Sequence, residues 1–253
     1  MSAPATCAVA VAGGGPVGAA AALALHGAGL DVHWLAAADA PAPADRPLAL
    51  SRASLLLLER LDARTALDGA TTIDQVIVSQ RGGFGRVVMT AAEARVPALG
   101  CVAAYRDVQA ALAAAVQRRP IVCHPAAVTA VEVAPGDDRI TATCADGHRV
   151  SAQLLVCADG RAANPLMDGP VLERDYGAMA LTANLATAQP HRGRAFERFT
   201  ADGPIALLPR GDGYALVWTL PPAEAERLLA SPDREFRAAL AAAFGAAAGP
   251  FTG

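Results

Sequence analysis

The chain contains no lysine, and its 21 basic residues are all arginine. This excludes a phosphate-gripping Walker lysine, a Schiff-base lysine and a lysine general base. Alanine is heavily over-used as well, so a biased genome accounts for the arginine content, which is not read as function. There is no basic surplus either: the net charge is −3 and the pI about 5.9. Nothing in the charge suggests a nucleic-acid partner, and none is expected. The five cysteines (Cys7, Cys101, Cys123, Cys144, Cys157) form no Cys-x-x-Cys pair. Their odd count, their apolar strand-like surroundings and the absence of a signal peptide point to buried thiols in a reducing cytoplasm. The five histidines are scattered without metal-ligand spacing. Each reads as a core or surface histidine, and no metal site is expected. Residues 8–25 carry no charge. A glycine turn inside that stretch, with no basic region in front, argues for a buried strand and helix rather than a membrane span.

What is present is the run Gly13-Gly14-Gly15-Pro16-Val17-Gly18, directly behind the apolar stretch Cys7 to Ala12. Read as Gly13-x-Gly15-x-x-Gly18, it is a turn that lets backbone approach a pyrophosphate. Gly13 allows the tight turn, Gly15 leaves room for the phosphates, and Gly18 lets the next helix pack closely on the strand. That helix is predicted from about Pro16 to Leu25, its N-terminal N–H groups and dipole facing the anion. Pro16 suits the first turn, where a missing N–H costs nothing. After the breaker Gly27-Ala28-Gly29, the run Asp31 to Leu35 reads as a second strand, completing a βαβ unit. By itself the pattern also fits a purely structural tight turn. The acid that would grip the adenosine ribose, about 20 residues on, is missing, because that position is Ala36; Asp39 lies just past the strand end.

With 253 residues the chain can form one large domain or two interleaved smaller ones. Residues 37–47 form a proline-rich loop. Ser51 is predicted to cap a helix from Arg52 to about Leu61. Gln75 to Ser79 and Arg86 to Met89 read as a hairpin around Gly82-Gly83-Phe84-Gly85. A helix from Tyr105 to about Gln117 leads to the strand Ile121 to Cys123. Residues 127–133 and 139–144 alternate as antiparallel strands around a Pro135 to Asp138 turn. Residues 149–157 end in a fully apolar strand that stops at Ala158-Asp159-Gly160. Beyond Pro165, strands are predicted over Ala178–Ala186, Pro204–Pro209 and Tyr214–Leu220. Helices are predicted over Ala223–Leu229 and Pro232–Phe244, the second with Ser231 as its N-cap.

Three separated segments agree on one family. They are the glycine turn with Asp45-Arg46-Pro47-Leu48-Ala49-Leu50-Ser51; Cys157-Ala158-Asp159-Gly160; and a long block. That block holds Asp175-Tyr176-Gly177, His191 to Thr200, Gly203 to Pro209 and Leu216 to Thr219. On these residues the chain resembles the FAD-dependent aromatic hydroxylases of ubiquinone biosynthesis, relatives of para-hydroxybenzoate hydroxylase, in the polyprenylphenol hydroxylase branch. The resemblance implies an α/β fold. A Rossmann-like FAD-binding domain (residues 1–75 and 98–165) would be interleaved with an antiparallel-sheet substrate domain (hairpin 76–97 and residues 166–253). It implies a monooxygenase that uses NAD(P)H and O2, through bound FAD, to hydroxylate the phenol ring of a polyprenylated ubiquinone precursor. Gly13, Gly14, Gly15 and Gly18 would bind the pyrophosphate, and Arg46 would pair with a phosphate or approach the flavin. Arg106 would contact FAD, and Asp159 with Gly160 would serve FAD and nicotinamide binding. No catalytic side chain is singled out. Partners in a quinone-biosynthesis complex, and a cytoplasmic location with peripheral contact to the inner membrane, are also implied.

The sequence departs from the family at Ala36, and at Ala163 and Leu166, where a serine and an arginine usually stand. Members of the family continue past the position of Gly253 to a Gly-Asp motif, with histidine and glycines, that helps cover the flavin. The expectation is therefore a fragment, an interrupted product or a divergent protein, without the closing elements and with weak FAD retention. A non-catalytic flavoprotein remnant is the competing reading. A nicotinamide-dependent dehydrogenase rests on the glycine turn alone and leaves the hairpin and the Asp175–Thr219 block unexplained.

Overall fold

The apolar run behind the glycine turn forms the centre of β1 (Ala5–Ala12), which α1 (Pro16–Gly27) joins to β2 (Val32–Leu35). The computed structural model describes residues 3–37, 46–64, 67, 69–133, 136, 138–160 and 172–253. Asp39, Asp45, Ala163 and Leu166, and most of the 37–47 loop, lie outside the described residues. Next come β3 (Pro47–Ser51), α2 (Arg52–Arg60), β4 (Thr71–Ile73), and the hairpin β5 (Gln75–Gln80) with β6 (Arg86–Thr90). β7 (Gly100–Ala104) leads into α3 (Tyr105–Gln117), followed by β8 (Val122–His124), β9 (Val128–Val133), β10 (Ile140–Cys144) and β11 (Arg149–Cys157). The remainder is β12 (Met179–Leu185), β13 (Arg194–Phe199), β14 (Pro204–Arg210), β15 (Gly213–Leu220), α4 (Pro222–Leu229) and α5 (Asp233–Phe244). These elements sort into two units. One holds Met1–Arg46, Leu56–Asp68 and Tyr105–Glu173; the other holds Pro47–Leu55, Gly69–Ala104 and Arg174–Gly253.

In the first unit the strand order is β8-β2-β1-β11-β10-β9. The first four strands run parallel, and β10 and β9 add antiparallel. Parallel strands are covered on both faces, which is why β2 is buried at every position. The buried positions of α1 are Gly18, Ala19, Ala22 and Leu23, three of them small, so the helix axis lies close to the sheet. Arg139 ties the antiparallel pair to the parallel core: its guanidinium donates to the carbonyls of Cys7 (2.8 Å) and Ser151 (2.7 Å).

Two expectations are corrected in this unit. Cys7 and Cys144, like Cys101 of the other unit, are buried, but Cys123 and Cys157 are exposed: Cys123 lies on the edge strand β8 and Cys157 is the last residue of β11. The histidines are not all scattered. Because β2 and β8 are parallel neighbours, His33 Nδ1 and His124 Nε2 meet at 3.1 Å. The His148 ring lies 6.4 Å from that of His124, centroid to centroid, and His148 pairs with Asp146 at 3.0 Å. Among the described residues no group of three or more His, Cys, Asp or Glu could hold a metal ion. Burial lowers the pKa of His33, and burial together with the neighbouring His33 and His148 lowers that of His124. The unfolded chain takes up protons below about pH 6.5 while the folded pair resists, so stability present above that pH is lost as pH falls through the folded values. The melting temperature is expected to drop as pH falls below about 6.5, and His124→Gln is expected to flatten that drop. A wild-type melting temperature that stays level across this window would contradict the account.

In the second unit a six-stranded sheet runs β12-β15-β14-β13-β5-β6, antiparallel except where β13 lies parallel on β5. One face carries Leu181, Phe196, Ile205, Leu207, Leu216 and Trp218, packed against Leu228 of α4 and Leu240 and Phe244 of α5. Arg198, on that same face, donates through Nε to the carbonyl of Ala243 in the last turn of α5, a favourable end for a cation. A second sheet, β3-β7-β4, packs Ile73 and Val102 against Ala195. Ser51 caps α2 as predicted, accepting from the Ser54 N–H at 3.3 Å. Ser231 does not cap α5. Pro232, at φ −60°, takes the N-cap position, and the Ser231 hydroxyl turns back to donate to the Leu228 carbonyl of α4 at 2.7 Å.

Candidate functional site

The carboxyl ends of β1 and β11 lie side by side in the first unit, with Ala12 opposite Cys157. The chain leaves β1 through α1 toward β2 on one side, while β11 stands on the other. The sheet therefore reverses its winding between these two strands, the position where open α/β sheets bind ligands.

The glycine turn sits at that crevice, and its three key glycines are required for different reasons. Gly13 has φ +130°, a conformation side chains disfavour, and a Cβ there would run into the Ala158 carbonyl. A Cβ at Gly18 would run into the carbonyl of Gly13, so only glycine lets α1 pack this closely. A Cβ at Gly15 would meet nothing nearer than the Tyr105 hydroxyl at 3.3 Å. Gly15 is thus the N-cap of α1 with open space before it, and no side chain caps that helix. A Cβ at Gly14 would point at Ala36, 3.2 Å from its Cβ. Tight turn, open approach and close packing are the three features a pyrophosphate cradle needs, so the residues present fit a dinucleotide.

Side chains distant in sequence hold this turn. The Trp34 indole N–H donates to the Gly13 carbonyl at 3.0 Å, and Gln109 Nε2 donates to the Gly14 carbonyl at 3.0 Å. Tyr105 and Gln109 lie four apart on α3, so one helix face presents both. Arg46 stacks its guanidinium 4.5 Å from the centre of the Tyr105 ring, and its carbonyl accepts from the Tyr105 N–H. Arg46 therefore stands in the same cluster as Gly15. Arg106 is more exposed, 62% by side chain, and pairs with the neighbouring Asp107 at 3.6 Å. Asp159 and Gly160 follow β11 directly. The Asp159 backbone nitrogen would lie 2.8 Å from a Cβ on Gly13, and Gly160 takes φ +72°. The turn and the Asp-Gly pair, over 140 residues apart in sequence, thus adjoin. Trp34, Tyr105 and Gln109 were not singled out from the sequence. For Tyr105 and Gln109 the signal available was their i, i+4 spacing at the start of a predicted helix; nothing local marked Trp34.

The sequence matches the FAD binding domain family over residues 6–250. It is 38% identical over 111 residues to the ubiquinone hydroxylase UbiL of Rhodospirillum rubrum, a match covering 43% of this chain and 26% of that protein. It is 29% identical over 230 residues to the 3-demethoxyubiquinol 3-hydroxylase of Escherichia coli, covering 87% of this chain and 59% of that protein. The chain therefore spans less than two thirds of the length of these relatives. In fold it is similar to Pseudomonas aeruginosa PqsL, solved with 2-aminobenzoylacetate. The TM-score there is 0.77 at 20% identity, over 98% of this chain and 73% of that one.

Proposed function

Since this chain belongs to the FAD binding domain family, we propose that it is the FAD-holding part of a monooxygenase that hydroxylates the phenol ring of a polyprenylated ubiquinone precursor. The overall balance is one phenol, O2, NAD(P)H and a proton giving the ring-hydroxylated product, NAD(P)+ and water. The observation that carries this reading is the glycine turn at the β1–β11 crevice, closed at Gly13 and Gly18 and open at Gly15. When bound, FAD would supply the redox chemistry that activates oxygen. The protein's part is to hold and orient it. Backbone N–H groups at Gly14, Gly15 and the first turn of α1 would take the pyrophosphate. Arg46, already braced on Tyr105, would meet a phosphate or the flavin. Arg106 would reach FAD by leaving Asp107. Asp159 and Gly160 would line the same crevice from β11. The ubiquinone-pathway relatives support the substrate class. Partners from a quinone-biosynthesis complex, and a cytoplasmic position against the inner membrane, belong to the same proposal. No helix among the described residues is long and apolar enough to cross a membrane.

One observation favours the second reading, a flavoprotein remnant without turnover: Ala36 stands where the ribose acid would be, and Gly14 packs against it. The chain, loaded with FAD, should consume NADH or NADPH in the presence of a 2-polyprenylphenol and yield a product one oxygen heavier by mass spectrometry. NAD(P)H consumption no faster than with free FAD, and no hydroxylated product, would decide for the remnant.

A further inference from the structure

Alternation along β13 sends Phe196 and Arg198 toward α5 and sends Glu197 to the opposite face of the six-stranded sheet. Strand registers then place Glu197 in a single row that crosses all six strands: Val87, Val78, Glu197, Ala206, Val217, Thr182. Glu197 is the only charge in that row. The same face leaves large apolar side chains uncovered, with Val87 at 59%, Met89 at 47% and Phe199 at 49% exposure. Glu197 is half-buried, and among the described residues no donor reaches its carboxylate. Partial burial pushes its pKa up, while its carboxylate oxygens still open to solvent.

Glu197 is thus a lone acceptor, open to an incoming donor, in the middle of an apolar bed. We propose that Glu197 receives the ring hydroxyl of the phenolic substrate, with the ring and its apolar substituent lying along the Val78–Val217 row. This rests on the reading of the chain as a phenol hydroxylase. Before reaction the carboxylate accepts the phenolic O–H. As the ring takes up oxygen that O–H grows acidic, its proton passes to Glu197, and the ring oxygen keeps the electron pair. As the ring re-aromatises, the attacked carbon loses its hydrogen as a proton to the second oxygen atom, which leaves as water, and the ring oxygen recovers its proton from Glu197, so the carboxylate is regenerated.

The test is a two-by-two cycle in the flavin-free chain, by calorimetry, with 2-geranylphenol and its methyl ether as probes, against wild type and Glu197→Gln. Wild type is expected to bind the phenol about tenfold more tightly than the variant does, the difference between a charge-assisted and a neutral hydrogen bond. The ether, which has no O–H, is expected to bind both proteins alike. Equal phenol affinity for the two proteins overturns the proposal. So does failure of wild type to bind the phenol when the FAD-loaded chain hydroxylates it. If the cycle behaves as expected but the FAD-loaded chain never hydroxylates, the hydroxylase reading falls while the phenol site stands. Glu197→Gln is also expected to melt no lower than wild type at neutral pH, because a raised folded pKa means the ionised group costs stability above the unfolded value. That advantage is expected to vanish below about pH 4.3. A lower neutral-pH melting temperature for the variant would mark Glu197 as structural and overturn the proposal.

Discussion

Gly15→Ala is expected to lower FAD affinity by about tenfold or more while leaving the fold standing. Gly13→Ala is expected to cost the fold itself. The contrast follows from what each added methyl would meet. At Gly15 the backbone is ordinary for an L-residue, with φ −76°, and the new atom faces only the Tyr105 hydroxyl, the far end of a side chain that can give way. Replacing a glycine N-cap by alanine costs under about 1 kcal/mol. The methyl would, however, fill the space through which a pyrophosphate must approach. At Gly13 two penalties combine: strain at φ +130° and collision with the backbone of Ala158, which belongs to the neighbouring strand end and cannot swing aside. Together these are expected to cost about 3 kcal/mol. Thermal unfolding and a flavin fluorescence titration on each variant separate the two outcomes. A Gly15→Ala protein that keeps wild-type affinity would mean the pyrophosphate does not sit there.

Leu207→Ala is expected to destabilise the second unit by about 3 to 4 kcal/mol, a large share of the stability of an ordinary domain. Leu207 is fully buried and lies in register between Phe196 on β13 and Leu216 on β15, beneath α5. Two packed strands flank it and a helix covers it, so little can collapse into the space an alanine would leave. Urea unfolding followed by circular dichroism should show the midpoint falling at unchanged slope. A loss below about 1 kcal/mol would show that the helical layer relaxes more freely than this packing implies.

The glycine turn, α1 and the β5–β6 hairpin were legible in the sequence because their signals are local: glycines at fixed offsets, a proline in the first turn, alternation on either side of a glycine cluster. β7 was not legible. Its five residues, Gly100–Ala104, are all buried and show no alternation, and nothing in the sequence marks them as strand. β13 was hidden for the opposite reason. Its two arginines and a glutamate interrupt the apolar alternation that marks a strand, yet Arg198 reaches the end of α5 and Glu197 lies on the other face of the sheet. The supports of the glycine turn escaped notice because contact, not spacing, makes them: Gln109 reaches Gly14 from 95 residues away. The His33–His124 pair, 91 residues apart, was invisible for the same reason. Ser231 shows a local signal overruled: Ser-Pro suits an N-cap with proline at N1, but the hydroxyl is taken by the Leu228 carbonyl of α4 and the helix starts one residue later.

The chain has two tryptophans, and they fall one to each unit. Trp34 holds the glycine turn through its indole N–H, whereas Trp218 is buried edge-on against Phe236, its N–H without a hydrogen-bond partner among the described residues. The protein therefore carries its own pair of optical reporters. In a Trp218→Phe background, emission would follow the nucleotide crevice and be quenched by an arriving flavin. In a Trp34→Phe background, it would follow the loosening of the helix-covered sheet. The two halves of the chain can be watched separately without attaching a dye.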